Sequence, residues 1–340
     1  MNILLTCAGR RNHTVDAFKA AVKGIGGVFA SDCSAEAPAL MVADKAFVVP
    51  PAKDRAYVDT LLEICEAHGV GLLIPALEPE LLLLSQERDR FSRIGTQVMV
   101  SDPEVVGLCY DKLRTQQFLE RQGIPTPYTC TDLSQARIAL DAGLLSFPLV
   151  LKPRWGVSSV GLSFPEDEEE LERAYEHTLN QVRQSSFAQA SEQDPDRCIM
   201  IQERIDGQEY GLDVVNDLQG NHICTLAKRK LRMSAGRTDR AVSVTDATLS
   251  ELGQRIGSNL RHRGGLDCDV LVTEKAAFPI DLNPRLGGGY PFSHLAGANL
   301  PAALVDWARG LETDPVHFQM RPGVLASRYD AFSVRETAVQ

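Results

Sequence analysis

The densest group of chemically active residue types lies at residues 278–285, which read Phe-Pro-Ile-Asp-Leu-Asn-Pro-Arg. Side chains two apart in a strand point to the same face of a sheet, so Asp281 and Asn283 would present two oxygen donors together. Such donors suit a hard cation, and Asp269 on the predicted neighbouring strand would add a third. Arg285 follows, and its planar guanidinium is suited to a phosphate. A strand that ends in an ordinary Asn-Pro turn accounts for the same residues.

A second segment, at residues 150–161, joins a lysine to a turn of small residues. Lys152 ends a predicted buried strand, and Gly156 and serines follow it. A cation beside free backbone N–H groups is what a polyphosphate requires. The segment lacks the GxxxxGK[ST] pattern of a Walker A loop. A surface turn with a lysine that reaches into solvent is an equal alternative.

A third segment, at residues 199–210, is a predicted strand that runs into a loop. Backbone groups at such a strand end can pair with the edge of a purine, and Glu209 can accept hydrogen bonds from ribose hydroxyls. A hairpin around Asp206 and Gly207 would give the same pattern. This segment therefore indicates nucleotide binding only in combination with the other two segments.

Two further groups indicate where substrates would bind. Basic residues cluster between 228 and 240, Arg237 and Arg240 among them, and would create a positive field suited to a carboxylate and a phosphate. Glu78 follows a predicted strand at the crevice where open α/β sheets bind ligands, and it could meet the amine of an amino acid. A solvated strand face and a helix N-terminal acid are the alternatives.

The elements that would position these residues are of two kinds. Up to about residue 100, short apolar runs alternate with amphipathic helices, which predicts a parallel sheet with right-handed crossovers. The predicted strands are 3–6, 28–30, 47–49, 71–75 and 98–100. A single helix is predicted at 103–122. The first strand opens into Cys-Ala-Gly-Arg-Arg rather than GxGxxG, which disfavours a nicotinamide cofactor.

The rest of the chain predicts an α+β architecture. A strand at 147–152 and a helix at 165–183 precede a polar stretch at 184–196, which we expect to be mobile. Longer strands then indicate an antiparallel sheet. These strands are predicted at 198–205, 208–216, 222–231, 266–272 and 277–282.

Composition excludes several classes of protein. The 340 residues carry 45 acidic and 35 basic side chains, a net charge of −10, which disfavours nucleic acid as a partner. No apolar run reaches the ~18 residues of a membrane span, and the opening apolar stretch is too short for a signal-peptide core. The eight cysteines form no CxxC pair. Reduced thiols and a cytoplasmic location are therefore expected.

The order and spacing of these residues resemble the ATP-grasp superfamily, in particular single-module carboxylate–amine ligases similar to carbamoyl phosphate synthase. The opening residues 4–11 likewise resemble the pre-ATP-grasp domain of such ligases. The resemblance implies a Rossmann-like pre-ATP-grasp domain at 1–105, followed by a two-subdomain ATP-grasp fold. Residues 106–198 would carry the phosphate loop, and residues 199–325 would carry the metal site.

The resemblance also implies a role for individual residues. Those expected at the ATP phosphates are Lys112, Lys152, Ser158 and Ser159. Those expected at the nucleoside are Glu203 and Ile205, through backbone atoms at adenine, and Glu209 at the ribose. Those expected to bind Mg²⁺, or Mn²⁺ in its place, are Asp269, Asp281 and Asn283. Arg285 would meet the transferred phosphoryl group, and Asp267 is a rival to Asp269.

A carboxylate–amine ligase is the activity that this resemblance implies. The acid would attack the γ-phosphate of ATP to form an acyl phosphate, and an amine would displace phosphate from it. An ATP-dependent carboxylase, a phosphoryl transferase and a non-catalytic ATP-binding module are the alternatives on the same fold. The expected partners are small-molecule carboxylates and amines, without nucleic acid or membrane, and a homodimer is compatible with this function.

Overall fold

The computed structural model describes residues 1–156, 161–185, 188–234 and 236–334. Within these residues the chain forms three β-sheets that are covered by helices. No described helix is both long and apolar enough to cross a membrane.

The N-terminal unit is a parallel sheet with the strand order β3-β2-β1-β4-β5. Its strands are β1 (Asn2–Thr6), β2 (Val28–Asp32), β3 (Lys45–Val48), β4 (Val70–Pro75) and β5 (Gln97–Val98). Its helices are α1 (Asn12–Ala21), α2 (Pro38–Val42), α3 (Tyr57–His68), α4 (Glu78–Gln86) and α5 (Arg88–Arg93). Successive residues of β1 enter different cores, Ile3 and Leu5 on one side and Leu4 on the other. The expected Rossmann-like architecture is confirmed.

The middle unit is built on a small antiparallel sheet with the order β6-β8-β7. Its strands are β6 (Thr129–Cys130), β7 (Leu149–Pro153) and β8 (Ile199–Glu203). Its helices are α6 (Pro103–Tyr110), α7 (Lys112–Arg121), α8 (Leu133–Asp141), α9 (Glu168–Gln184) and α10 (Ala188–Ser191). Because β8 pairs with β7, the chain leaves this sheet after Glu203, whereas the subdomain boundary proposed from the sequence falls at 198/199.

One sequence prediction in this unit is wrong. The single helix predicted at 103–122 is two helices, because Asp111 adopts an extended backbone and its carboxylate accepts the N–H groups of Leu113 and Arg114 at the start of α7. The stretch 184–196, which is expected to be mobile, includes α10 and overlaps a 3₁₀ turn at Pro195–Arg197 among its described residues.

The C-terminal unit is an antiparallel sheet with the order β13-β12-β9-β10-β11-β14. Its strands are β9 (Gln208–Asn216), β10 (His222–Ser234), β11 (Arg237–Val244), β12 (Gly264–Val272), β13 (Ala277–Asn283) and β14 (Leu325–Ser327). Its helices are α11 (Ala247–Leu260), α12 (Tyr290–Leu295) and α13 (Leu300–Ala308). The predicted antiparallel sheet is confirmed, although its strands β11 and β14 were not predicted from the sequence.

The two faces of this sheet differ in chemistry because side chains alternate along each strand. Leu212, Cys268 and Leu282 pack with α11 in one apolar core. Their neighbours in the sequence, including Gly211, Asp269 and Asp281, therefore lie on the opposite face. That second face carries the charged residues of the candidate site.

Candidate active site

Two neighbouring strands place oxygen donors side by side on the polar face. In the register of β12 and β13, Asp269 lies opposite Asp281, and Asp267 lies opposite Asn283. The Nδ2 of Asn283 donates a hydrogen bond to Oδ2 of Asp281 at 3.0 Å. The predicted shared face of Asp281 and Asn283 is thus what the structure shows.

Two lysines from the middle unit approach these donors. Lys112 is the first residue of α7, and its Nζ lies 3.2 Å from Oδ1 of Asp281 and donates to the carbonyl of Gly156 at 2.9 Å. Lys152 lies on β7, and burial together with the charge of Lys112 lowers its pKa to about 8, against the opposing effect of Asp281. Burial would raise the pKa of Asp281, but Lys112, Asn283 and Lys152 outweigh burial and hold that pKa below its ordinary value.

A third lysine bridges two of the acids. The Nζ of Lys230 lies 2.8 Å from Oε1 of Glu209 and 2.6 Å from Oδ1 of Asp269. Gly211 on β9 leaves the space for this bridge, because a Cβ there would lie 3.4 Å from Cε of Lys230 and 3.2 Å from Cε of Lys228. Burial, with the charge of Asp267, raises the pKa of Asp269 to about 7 although Lys230 opposes the shift. The basic cluster at 228–240 was predicted from the sequence, but the contact of Lys230 with Asp269 was not.

Arg285 joins the N-terminal unit to the C-terminal sheet. Its Nε donates to Oε1 of Glu78 at 2.8 Å, and its Nη1 donates to Oδ2 of Asp267 at 3.3 Å. Burial would lower the pKa of this guanidinium, but Glu78 and Asp267 outweigh burial and raise it. Asp267 is thus bonded to Arg285, whereas Asp269 is bonded to Lys230 and lies opposite Asp281 in the register of the two strands.

A cavity lies beside the lysine pair, between the small sheet and β13. Its walls include Met200 and Gln202 of β8, Ile280 of β13, Lys112 and Lys152. The cavity therefore combines apolar walls with two cationic groups.

The predicted adenine-binding residues lie at the end of β8, where Glu203 is the last residue of the strand. The amide of Glu203 donates to the carbonyl of Tyr128 at 3.0 Å, and its carboxylate accepts from the N–H of Tyr128 at 2.9 Å. Ile205 lies in the loop that leads from β8 to β9. Both residues are thus located where the chain passes from one sheet to the next.

Other predicted residues are not gathered into this group. Arg237 and Arg240 are exposed on β11, and β9 and β10 lie between that strand and β12. Nε of Arg240 donates to Oγ of Ser327 at 3.0 Å. Ser158 and Ser159 lie outside the described residues.

Two protein-family models match separate parts of the chain. Residues 3–99 match the PylC-like N-terminal domain, and residues 145–290 match the ATP-grasp domain. The chain carries an ATP-grasp domain. The lysines Lys152 and Lys230 and the acids of β12 and β13 all lie inside the matched range.

A curated protein similar to this chain is a carboxylase. Biotin carboxylase of Halalkalibacterium halodurans is 24% identical over 289 residues, which cover 78% of this chain and 59% of that protein. The chain thus spans 59% of the length of this curated relative.

Solved structures show the same fold. The biotin carboxylase domain of Hydrogenobacter thermophilus 2-oxoglutarate carboxylase, in complex with MgADP, ADP and bicarbonate, matches with a TM-score of 0.75 and 17% identity, over 95% of this chain and 73% of that one. L-amino acid ligase of Bacillus licheniformis matches with a TM-score of 0.69 and 18% identity, over 94% and 78% of the two chains.

The donor set of this ATP-grasp domain fits a magnesium ion shared with a nucleotide. Among the described residues, no group of three or more His, Cys, Asp or Glu side chains is arranged to hold a metal. Asp269, Asp281 and Asn283 offer two carboxylates and one amide. Magnesium is commonly held by one or two carboxylates together with substrate phosphates, so a set of this size is sufficient.

Proposed function

We propose that this protein is an ATP-dependent ligase that joins a small carboxylic acid to an amine and releases ADP and phosphate. One observation carries the proposal: Lys112 and the oxygen donors of β13 meet at the junction of the small sheet and the C-terminal sheet, with Lys152 within electrostatic reach. Polyphosphate charge requires such cations, and phosphoryl transfer depends mainly on charge stabilisation and positioning.

The nucleotide would occupy the cavity beside the lysine pair. Lys112 and Lys152 would bind its phosphates, together with Ser158 and Ser159. Met200 and Ile280 offer apolar walls for the base, and backbone atoms of Glu203 and Ile205 would recognise the edge of adenine. Glu209 would accept from the ribose hydroxyls while it remains paired with Lys230.

Asp269, Asp281 and Asn283 would hold Mg²⁺, which neutralises phosphate charge when it is bound. Lys230 and Lys112 already bring positive charge to the two carboxylates. Lys112 therefore helps to keep Asp281 ionised, and the two lysines orient both carboxylates and offset their negative charge near ATP.

Arg285 would stabilise the phosphoryl group in transfer. The substrate carboxylate attacks the γ-phosphorus, its O–P bond forms, and the bond from that phosphorus to the ADP oxygen breaks. The amine then attacks the acyl carbon, the C–N bond forms, and phosphate leaves while the amine gives up a proton. Glu78, held beside Arg285, would bind the incoming amine as its ammonium ion, which releases one proton to solvent before the neutral amine attacks. Arg237 and Arg240 would contribute to the field that attracts the acid. The fold shared with an L-amino acid ligase supports this reaction.

Carboxylation is the second candidate, and the likeness to biotin carboxylase favours it. Bicarbonate would then take the place of the organic acid, and the product would be a carbamate or carboxylated acceptor. Both reactions release ADP and phosphate, so the identity of the acid distinguishes them.

The test is a nucleotide-product assay on the purified protein with Mg-ATP. We expect ADP and phosphate with a pool of amino acids, and hydroxylamine should trap the acyl phosphate as a hydroxamate. Activity with bicarbonate and biotin alone would select the carboxylase. Release of AMP and pyrophosphate would overturn both candidates, because adenylation attacks the α-phosphorus. Asp281→Asn is the control that assigns the activity to this site.

A further inference from the structure

Arg154 is a buried arginine just beyond Lys152, and it is bonded to two acids. Its Nε and Nη2 donate to the two carboxylate oxygens of Asp111 at 2.7 and 2.8 Å. Its Nη1 donates to Oδ2 of Asp194 at 2.6 Å. The guanidinium also lies over the ring of Trp155, 4.3 Å from the ring centroid. These three ionic partners, Arg154, Asp111 and Asp194, are called the clamp below.

The clamp is attached directly to both phosphate-binding segments. The backbone N–H of Lys112 donates to the carbonyl of Arg154 at 3.2 Å. Asp111 precedes Lys112 and caps the helix that Lys112 begins. Arg154 follows Lys152 by two residues, and its own N–H donates to the carbonyl of Cys198 at 2.9 Å. The clamp therefore fixes where α7 begins relative to the end of β7.

The energetics of the clamp indicate that it fixes the positions of its side chains rather than adding much to the stability of the fold. Arg154 is 8% exposed and Asp111 is 5% exposed, so the pair has lost most of its hydration. Buried ion pairs often contribute little net stability, and they repay their desolvation only where the geometry is tight. A bidentate guanidinium fork supplies such geometry, and a lysine ammonium cannot reproduce it.

Asp194 extends the clamp to a separate part of the chain. It lies between α10 and the 3₁₀ turn at Pro195–Arg197, and its side chain is 34% exposed. The carbonyl of Arg197 also accepts from Nη1 of Arg154, at 3.5 Å. This segment thus touches the phosphate-binding region through one guanidinium nitrogen.

We propose that Arg154 is a positioning residue that holds Lys112 and Lys152 at the spacing one polyphosphate requires, and that Asp194 couples residues 188–197 to this lysine pair. The inference rests on the proposed ATP site. Its consequence is that removal of the Asp194 carboxylate alters nucleotide affinity although Asp194 lies outside the lysine and carboxylate cluster.

The test compares four variants by calorimetric binding of Mg-ATP at 20 °C, well below the unfolding temperature of each variant. Arg154→Lys keeps the positive charge but loses the bidentate hydrogen bonds of the guanidinium, and we expect the Kd for Mg-ATP to rise at least about fivefold. Arg154→Met should bind Mg-ATP more weakly than Arg154→Lys. Asp194→Ala should raise the Kd about threefold, because Asp111 still holds the arginine. Asp196→Ala removes a charge two residues away and should leave the Kd unchanged.

Further measurements distinguish a positioning role of Arg154 from a general loss of stability and from an incorrect assignment of the ATP site. Amide exchange at 152–156 should quicken in Arg154→Lys, and in an active enzyme the KM for ATP should rise more than kcat falls. A Kd that stays equal to that of the unmodified protein in Arg154→Lys and Asp194→Ala, even with a lower unfolding temperature, would overturn the positioning role. If the unmodified protein itself does not bind Mg-ATP, the proposed function fails instead.

Discussion

At the residue scale, Lys152 offers the clearest test of the phosphate site. Its pKa is lowered because the amine is buried and lies near Lys112, so its charge is not needed to stabilise the ligand-free fold. Lys152→Met should therefore fold normally and bind Mg-ATP at least about tenfold more weakly, ~1.4 kcal/mol. Calorimetry measures this, and Lys275→Met, an exposed lysine, is the control. An unchanged Kd would contradict the role of Lys152.

The same lysine gives a pH dependence with a defined sign. Lys152 is protonated below its pKa of about 8 and loses its charge as the pH rises above that value. A bound phosphate favours the protonated amine, so nucleotide affinity should fall as the pH rises through 8, by up to about tenfold per pH unit. Affinity measured from pH 7 to pH 9.5 in Lys152→Met should lack this component.

At the element scale, two acids that face each other across β12 and β13 have pKa values shifted in opposite directions. Asp281 has a lowered pKa, so its charged form stabilises the folded protein above the unfolded pKa. Asp269 has a pKa raised from 3.8 to about 7, so its ionisation costs stability as the pH rises through that interval. The two carboxylates are therefore expected to respond differently to neutralisation.

Asp269→Asn and Asp281→Asn should each reduce ADP formation by more than about 100-fold. Replacing a residue that only hydrogen-bonds to a metal ligand typically costs roughly 10- to 100-fold in activity, and these two residues are proposed as the ligands themselves. At pH 8 without nucleotide, Asp281→Asn should lower the unfolding temperature, because Lys112 loses its partner. Asp269→Asn should leave that temperature unchanged or raise it, because Lys230 keeps Glu209. Calorimetric scans measure both values. Equal losses of stability in the two variants would contradict these electrostatic assignments.

The elements also show how far the sequence alone could lead. Strand alternation predicted correctly that Asp281 and Asn283 share a face, since that depends only on local periodicity. The break at Asp111 was missed because apolar periodicity continues across it, and only its capping contacts and Arg154 reveal it. The bridge from Lys230 to Asp269 depends on the register of three strands, which no local pattern contains.

At the scale of the whole molecule, apolar packing and the ion pair of Glu78 with Arg285 attach the N-terminal unit to the site. Ile3 and Leu5 share a core with Leu286 and Leu304 of the C-terminal unit. Glu78 adds the polar contact by accepting from Arg285. An apolar core of this kind holds the two units together without Glu78, so the charge of Glu78 can be removed while the arrangement of the units is kept.

Glu78→Gln is the change that tests whether the N-terminal unit contributes to substrate binding. Glutamine can still accept a hydrogen bond from Arg285, and Asp267 still compensates the guanidinium charge, but the negative charge for an ammonium group is lost. We expect the KM for the amine substrate to rise at least about tenfold, while the Kd for Mg-ATP changes less than about twofold. Steady-state kinetics with varied amine and calorimetry with Mg-ATP measure the two quantities, and Glu87→Gln, which alters an exposed ion pair with Arg90, is the matched control. If nucleotide affinity or the phosphoryl-transfer rate falls while the KM for the amine stays constant, Glu78 serves only to orient Arg285, and the amine binds elsewhere.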